Sequence, residues 1–200
     1  MWMSTVDRRV AHVAMLSNIM PSIFSHAAAA LAIGKVSTDG RRPLRFWLLT
    51  ALCAMLPDAD VLSFAMGAER GSMFSHRGFT HSLTFALLLA LLVVSIAFRE
   101  RRAFSKAWWM LVLYFFIVTL SHGLLDMLTN GGSGVALFAP FDLTRYFFPW
   151  RPIEVSPIGM RFFSQRGLEV FESEFVWVWI PSLTLVLMSW SFRRLRAQVK

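Results

Sequence analysis

Long apolar segments constrain this chain more than any other feature of its sequence. Four of them, at 45–64, 83–98, 107–129 and 175–192, approach the ~20 residues that a helix needs to cross a bilayer. A fifth, at 21–34, is shorter and is compatible with a tilted or partly inserted helix. With 56% hydrophobic and only 16% charged residues, the composition is too apolar for an ordinary soluble domain. The sequence therefore predicts an all-α, polytopic membrane bundle of about four to five transmembrane helices.

The net charge of +8 is distributed in a way that indicates membrane topology. Many of the cations lie in three short segments that flank the apolar ones, as the positive-inside bias of cytoplasmic loops predicts. No basic platform with interleaved aromatic residues accompanies them, so we expect no nucleic-acid partner. If these segments are cytoplasmic, the polar loops at 65–82 and 130–174 face the outside. The cations are Lys35, Arg41, Arg42, Arg45, Arg99, Arg101, Arg102, Lys106, Arg193, Arg194, Arg196 and Lys200.

The rest of the chain is expected to form one unit. Residues 1–20 are interpreted as an N-terminal extension and residues 21–200 as a single membrane-embedded domain. Cys53 is the one cysteine and lies in an apolar segment, so no intramolecular disulfide can form. The oligomeric state is left open by the sequence.

Seven ionisable residues lie in or beside the apolar segments, where charge is unfavourable and usually functional. In the orientation given above, each of them falls near the outer end of its segment. We therefore expect them to converge on one level of the membrane. The seven are His26, Asp58, Asp60, His76, His81, His122 and Asp126.

Three short motifs carry most of these residues. In "SHGLLD", His122 and Asp126 are spaced i, i+4 and can reach one ion from one helical face. In "LPDAD", a kink at Pro57 would turn both Asp58 and Asp60 toward the bundle. The alternative is that the helix ends at Pro57 and both carboxylates are solvated caps.

The motif "HRGFTHS" places two imidazoles at the start of an apolar segment. Gly78 allows a tight turn between His76 and His81, so that one short loop can deliver both rings to one site. Arg77 adds a planar, permanently charged donor fork suited to phosphate or carboxylate. The alternative for His76 and Arg77 is ordinary contact with lipid headgroups.

Imidazole and carboxylate ligands without a thiolate favour zinc, manganese or iron in an active site. Such an ion lowers the pKa of a coordinated water and polarises an ester or phosphoryl oxygen, which gives hydrolysis without a protein nucleophile. The sequence has no nucleophile elbow and no phosphate-cradling glycine loop, so covalent and nucleotide-driven mechanisms are disfavoured.

Five segments taken in order resemble the YdjM-like family of inner-membrane proteins, whose members are inferred to be metal-dependent hydrolases. These segments are "SHAAAALAIG", "LPDAD", "HRGFTHS", "SHGLLDMLTNGG" and "LFAPFDLTRY", and they run from about His26 to Arg145. The resemblance implies a bacterial inner-membrane protein of four or so helices with a hydrolase site.

The chain is also faintly similar to the zinc-dependent phospholipase C and P1 nuclease superfamily. This similarity implies that His26 serves one zinc and that Asp126 bridges it to another. The second zinc would be bound by Asp60 (or Asp58), His76 (or His81) and His122. No histidine follows His122 here, so the third metal site of that superfamily is not expected.

These observations predict a membrane-bound, metal-dependent hydrolase that cleaves an ester or phosphodiester of a lipid-like substrate, with zinc as the expected ion and manganese or iron as alternatives. Its site is expected near the extracytoplasmic face of the bacterial inner membrane, in contact with membrane lipids. The alternative is a non-enzymatic metal-binding, sensing or transport protein. For the hydrolase, the metal ligands are assigned as His26, Asp60, His76, His122 and Asp126. The catalytic roles go to Asp58 or His81, which orients water or completes the metal shell, and to Arg77, which holds an anionic headgroup.

Overall fold

Helices account for nearly all the regular structure of this protein. The computed structural model describes residues 22–69, 71–156 and 164–198, and the expected extension at 1–20 lies outside these residues. The main helices in the described residues are α1 (Ile23–Ser37), α2 (Leu44–Met55), α3 (Leu83–Ala97), α4 (Lys106–Met127) and α5 (Gln165–Gln198). The predicted all-α class is confirmed.

Two of the helices in the described residues have the length and composition needed to cross a membrane. These are α4, with 22 residues, and α5, with 34. Helices α1 and α3 have 15 residues each and α2 has 12. At 1.5 Å per residue a 15-residue helix measures about 22 Å, less than the ~30 Å hydrocarbon core. The number of transmembrane helices therefore stays a prediction.

The apolar segment at 45–64 is interrupted where Pro57 occurs. Helix α2 ends at Met55, and the chain continues as a 3₁₀ turn, Leu56–Val61, with Pro57 in its first positions. A proline is tolerated there because it has no N–H to donate. The side chains of Asp58 and Asp60 are only 7% and 5% exposed. The alternative in which both carboxylates are solvated caps is therefore wrong.

The last helix begins ten residues earlier than the sequence predicts. Residues 165–174 were expected to belong to an outer loop, but they form the first part of α5, which continues through a π-helical turn at Phe175–Trp179. The polar composition of this stretch hides its buried stripe, in which Gly167, Val170 and Glu174 recur every three to four residues.

Helices α2, α3 and α4 enclose the apolar core. Its members include Phe46, Val94 and Phe115, which are at most 2% exposed. Small residues such as Ala54 and Ala90, both 0% exposed, let the helix backbones approach closely, as is usual for helices packed in membranes.

The two loops that were expected on the same side of the membrane lie against each other. The Ala136 amide donates to the Arg77 carbonyl at 2.9 Å. Arg145 reaches across as well, donating to the carbonyl of His76 at 3.0 Å and to Ser75 Oγ at 2.8 Å. The loop after α4 therefore fixes the backbone of the "HRGFTHS" segment through hydrogen bonds.

Helix α5 holds α1 at both of its ends. The buried carboxylate of Glu174 accepts hydrogen bonds from the Ser22 amide, the Ser22 hydroxyl and, at 2.7 Å, Ser25 Oγ. Arg193 donates to carbonyls at the other end of α1. An acid at the N-terminus and a guanidinium at the C-terminus satisfy unpaired backbone groups and complement the helix dipole. The carbonyls that Arg193 contacts are those of Lys35, Val36 and Thr38.

We predict that Glu174→Ala lowers the free energy of unfolding by at least ~2 kcal/mol, because it leaves several buried donors unpaired. Unfolding is followed by the loss of helicity in an SDS titration of the detergent-solubilised protein. Glu172→Ala, on the exposed side of the same helix, is the matched control and should leave stability unchanged. Equal effects of the two substitutions would contradict this role for Glu174.

Candidate metal centre

One buried cluster at one end of the bundle contains all seven ionisable residues singled out in the sequence. Helix α1 supplies His26, and the 3₁₀ turn after α2 supplies Asp58 and Asp60. The connection before α3 and the last turns of α4 supply the others. Those others are His76, His81, His122 and Asp126.

Four of these side chains point one atom each at a common centre. The ligand atoms of Asp58, His81, His122 and Asp126 all lie within 4.8 Å of one another, and all four residues are buried. His81 Nε2 lies 3.0 Å from His122 Nε2 and 3.2 Å from Asp126 Oδ2. His122 Nε2 lies 3.2 Å from Asp58 Oδ1.

These separations match the edges of a tetrahedral metal site. With zinc bonds of ~2.0–2.1 Å, neighbouring ligand atoms lie about 3.3 Å apart. Three pairs of ligand atoms in the group lie 3.0 to 3.2 Å apart. Two further pairs, His81 with Asp58 and His122 with Asp126, lie 3.8 Å apart. A divalent ion therefore fits among the four atoms without a large rearrangement of the chain.

The remaining ring nitrogens of the two histidines are already engaged. His122 Nδ1 donates to the Ala54 carbonyl at 2.7 Å. His81 Nδ1 lies 3.0 Å from Thr80 Oγ1 and 3.1 Å from Asp60 Oδ2. Metal-binding histidines usually donate their second N–H to a carbonyl or carboxylate, which fixes the tautomer and aims the free nitrogen at the ion. Both Nε2 atoms are presented in this way.

The two neighbouring aspartates have different environments. Asp60 accepts hydrogen bonds from His76 Nδ1 at 2.6 Å, from the Arg77 amide at 3.2 Å and from the Thr80 hydroxyl. Both of its oxygens are therefore occupied by protein donors. Neither oxygen of Asp58 has a hydrogen-bond partner among the described residues. A buried carboxylate without a hydrogen-bond donor needs another partner, and a metal ion is one that it can bind.

A second group of potential ligands shares His81 with the first. It consists of Asp60, His76 and His81, whose ligand atoms also lie within 4.8 Å of one another. The hydrogen bond between His76 and Asp60 already uses one atom of each residue. We therefore regard the first group as the better site for an ion.

Arg77 is enclosed by the cluster. The residue is 0% exposed, and its Nε lies 3.0 Å from Asp126 Oδ2. Its Nη1 donates to the Gly131 carbonyl at 3.0 Å, whereas Nη2 has no hydrogen-bond partner among the described residues. The backbone of Arg77 has φ of 61°, a conformation that residues other than glycine rarely adopt and that is concentrated at functional sites.

His26 lies at the edge of the four-ligand group. Its ring stacks on that of His122 at a centroid distance of 3.7 Å, and its Nε2 is 3.6 Å from Asp126 Oδ1. Neither ring nitrogen has a hydrogen-bond partner among the described residues. His26 is therefore placed to exchange a proton or to bind an ion together with Asp126.

Two glycines permit the close packing of this region. A Cβ at Gly123 would lie 2.9 Å from the His81 carbonyl oxygen, and a Cβ at Gly78 would lie 2.2 Å from the Met73 carbonyl oxygen. Since both neighbours are backbone atoms, neither can move aside easily. Gly123 thus lets α4 approach the turn that carries His81.

The sequence anticipated the members of the cluster but not all of their partners. Thr80 belongs to the "HRGFTHS" motif, but no feature of that motif indicates that its hydroxyl donates to Asp60. The Ala54 carbonyl cannot be recognised from a sequence, because every residue carries one. The assigned roles, with Asp60 and His76 as ligands and with Asp58 or His81 orienting water or completing the shell, stay predictions.

Comparison with known proteins supports the resemblance that the motifs suggested. Residues 20–196 match the family described as YdjM inner membrane protein. The chain is 43% identical to inner membrane protein YbcI of Escherichia coli (strain K12) over 176 aligned residues. The alignment covers 88% of this chain and 100% of that protein. No solved structure matches the chain. The protein therefore belongs to the YdjM family of inner membrane proteins.

Proposed function

We propose that this protein is a metal-dependent hydrolase embedded in the inner membrane, acting on an ester or phosphodiester of a lipid-like substrate. The observation that carries the proposal is the four-ligand group, whose atoms are spaced as in a tetrahedral site. Three buried carboxylates meet one permanent cation, Arg77, in this cluster. A divalent ion would balance their excess charge.

In this proposal Asp58, His81, His122 and Asp126 bind the ion, and Asp60 orients His81. This differs from the sequence-based assignment, which placed Asp60 and His76 in the shell. The reason is the hydrogen bonding described above, which occupies Asp60 and leaves both oxygens of Asp58 unpaired. Zinc suits two imidazoles and two carboxylates, although manganese and iron accept the same donors.

A bound ion would supply Lewis-acid polarisation of the substrate and a coordinated water of lowered pKa. The chain supplies the rest of the chemistry. The free ring nitrogens of His26 can accept a proton beside Asp126 and return it to the leaving group. The unpaired Nη2 of Arg77 can hold an anionic oxygen of the substrate.

Substitution of the two neighbouring aspartates tests the ligand assignment. We predict that Asp58→Asn removes most of the bound metal, whereas Asp60→Asn weakens affinity about 10- to 100-fold, as expected for a residue that orients a ligand. The measurement is elemental analysis of detergent-purified protein after dialysis against graded chelator. Asp142→Asn, in an exposed loop position, is the matched control. Full metal content in Asp58→Asn with loss in Asp60→Asn would restore the sequence-based assignment.

Hydrolysis is tested with mixed micelles that contain either a phospholipid or a neutral carboxylic-ester lipid. We expect turnover of at least one of these substrates, its loss on chelation and its recovery when zinc is added back. Asp58→Asn should lower turnover at least about 100-fold, because the variant loses the ion that would activate the attacking water. Metal-loaded wild-type protein that cleaves neither class would contradict the proposed activity.

A second function is favoured by the depth of the cluster. Its ligand side chains are 0% to 7% exposed, so a non-enzymatic protein that binds or senses a metal ion would also explain the geometry. Such a protein would retain stoichiometric metal and show no turnover in the micelle assay. The same two measurements therefore separate the two functions.

We propose that the site lies near the extracytoplasmic face. The arginine-rich segments, which are expected in the cytoplasm, lie at the other end of the helices. We predict that Phe141→Cys, at a side chain 89% exposed, reacts with a membrane-impermeant thiol reagent in intact cells. Arg102→Cys, at the basic end, should react only after the cells are opened. The native Cys53 is buried and serves as the unlabelled background. Reversed labelling of the two variants would invert the topology.

A further inference from the structure

We propose that the basic end of the bundle binds one anionic phospholipid in a groove between α1, α2 and α4. This site is separate from the metal centre and does not depend on the proposed hydrolase function. Ile117, the lining residue nearest to His122 along α4, precedes it by five residues, or roughly 7 Å along the helix axis, and the two arginines lie further away.

The groove is mostly apolar and opens toward the side of the bundle. Its volume is about 340 Å³, within the range of small-ligand pockets. Ile33 and Phe46 line its inner side, and Met110, Leu113 and Ile117 line its outer side along one stripe of α4. These three α4 side chains are 44% to 58% exposed, so in a bilayer they would face acyl chains.

Two guanidinium groups stand beside this apolar groove. Arg42 and Arg101 both line it, and neither forms an ion pair within the described residues. Two other arginines at the same end of the bundle do form ion pairs, Arg45 with Glu100 and Arg193 with Asp39. The groove therefore combines two guanidinium groups that form no ion pair within the described residues with an apolar floor.

This combination matches a phosphate that carries an acyl chain better than it matches a free anion. The charges would meet the headgroup phosphate, and the stripe on α4 would meet the chain below it. Trp109, which is 48% exposed, lies between Arg101 and Met110 along the chain, where interfacial aromatic residues commonly mark the headgroup level. An anionic lipid is favoured over a zwitterionic one because two arginines are available and no acidic residue in the described part of the chain lines the groove.

The test is a titration of the detergent-purified full-length protein with phosphatidylglycerol, followed by native mass spectrometry. We expect one tightly bound lipid per chain. The double substitution Arg42→Gln, Arg101→Gln should weaken binding roughly 30-fold, since each headgroup-facing arginine contributes about fivefold. Arg102→Gln, an exposed arginine next to Arg101 that does not line the groove, should bind like the wild type.

A second variant tests the apolar half of the site. Leu113→Trp fills the groove without changing charge and should also weaken phosphatidylglycerol binding, and phosphatidylcholine should bind the wild type more weakly than phosphatidylglycerol does. Equal binding of the two lipids, equal loss in Arg102→Gln, or no loss in Leu113→Trp would each overturn the proposal. Displacement of the lipid by inorganic phosphate at similar concentration would also overturn it, because the site would then bind a free anion.

Discussion

Charge balance around three buried aspartates is the constraint on which this structure depends. Moving a carboxylate into a helical bundle is unfavourable by several kcal/mol unless a cation or hydrogen-bond donors accompany it. The whole folded state of a typical domain is stable by only about 5–15 kcal/mol. Asp60 is balanced by protein donors and Asp126 by Arg77. Asp58 lacks both a donor and a permanent cation among the described residues, so the charge that remains is located at the centre of the four-ligand group.

The backbone around the cluster departs from regular structure where the ligands require it. An α-helix through residues 56–61 would place Asp58 and Asp60 about 200° apart around its axis. The tighter 3₁₀ turn instead brings Asp60 to His76 and Thr80 and brings Asp58 beside His122. On the facing segment, the left-handed backbone of Arg77 and the absence of a Cβ at Gly78 bring His76 and His81 to the two sides of Asp60.

Much of the site was predictable because charge in apolar sequence has few explanations. The spacing of His122 and Asp126 on α4 and the paired imidazoles of "HRGFTHS" follow from helical geometry and turn chemistry. Which aspartate keeps its oxygens free of protein donors was not predictable, because that depends on hydrogen bonds from Thr80 and the Arg77 amide to Asp60, whose directions exist only in three dimensions. The early start of α5 was missed for a related reason: a helix that buries Glu174 against two serines looks polar in sequence.

The distribution of polar groups along the bundle argues for chemistry at one end over passage through it. Between the cluster and the arginine-rich end, the buried interior is apolar, with Val94, Val112 and Phe115 at its centre. The hydrogen bond between Thr50 and Tyr114, at 2.8 Å, is a neutral polar contact in this zone. A transported cation would need successive carboxylates, carbonyls or water along its path, since each unsolvated step in low dielectric is unfavourable. The apolar core therefore closes the candidate metal centre from the other side, which favours the proposed hydrolysis or sensing over transport.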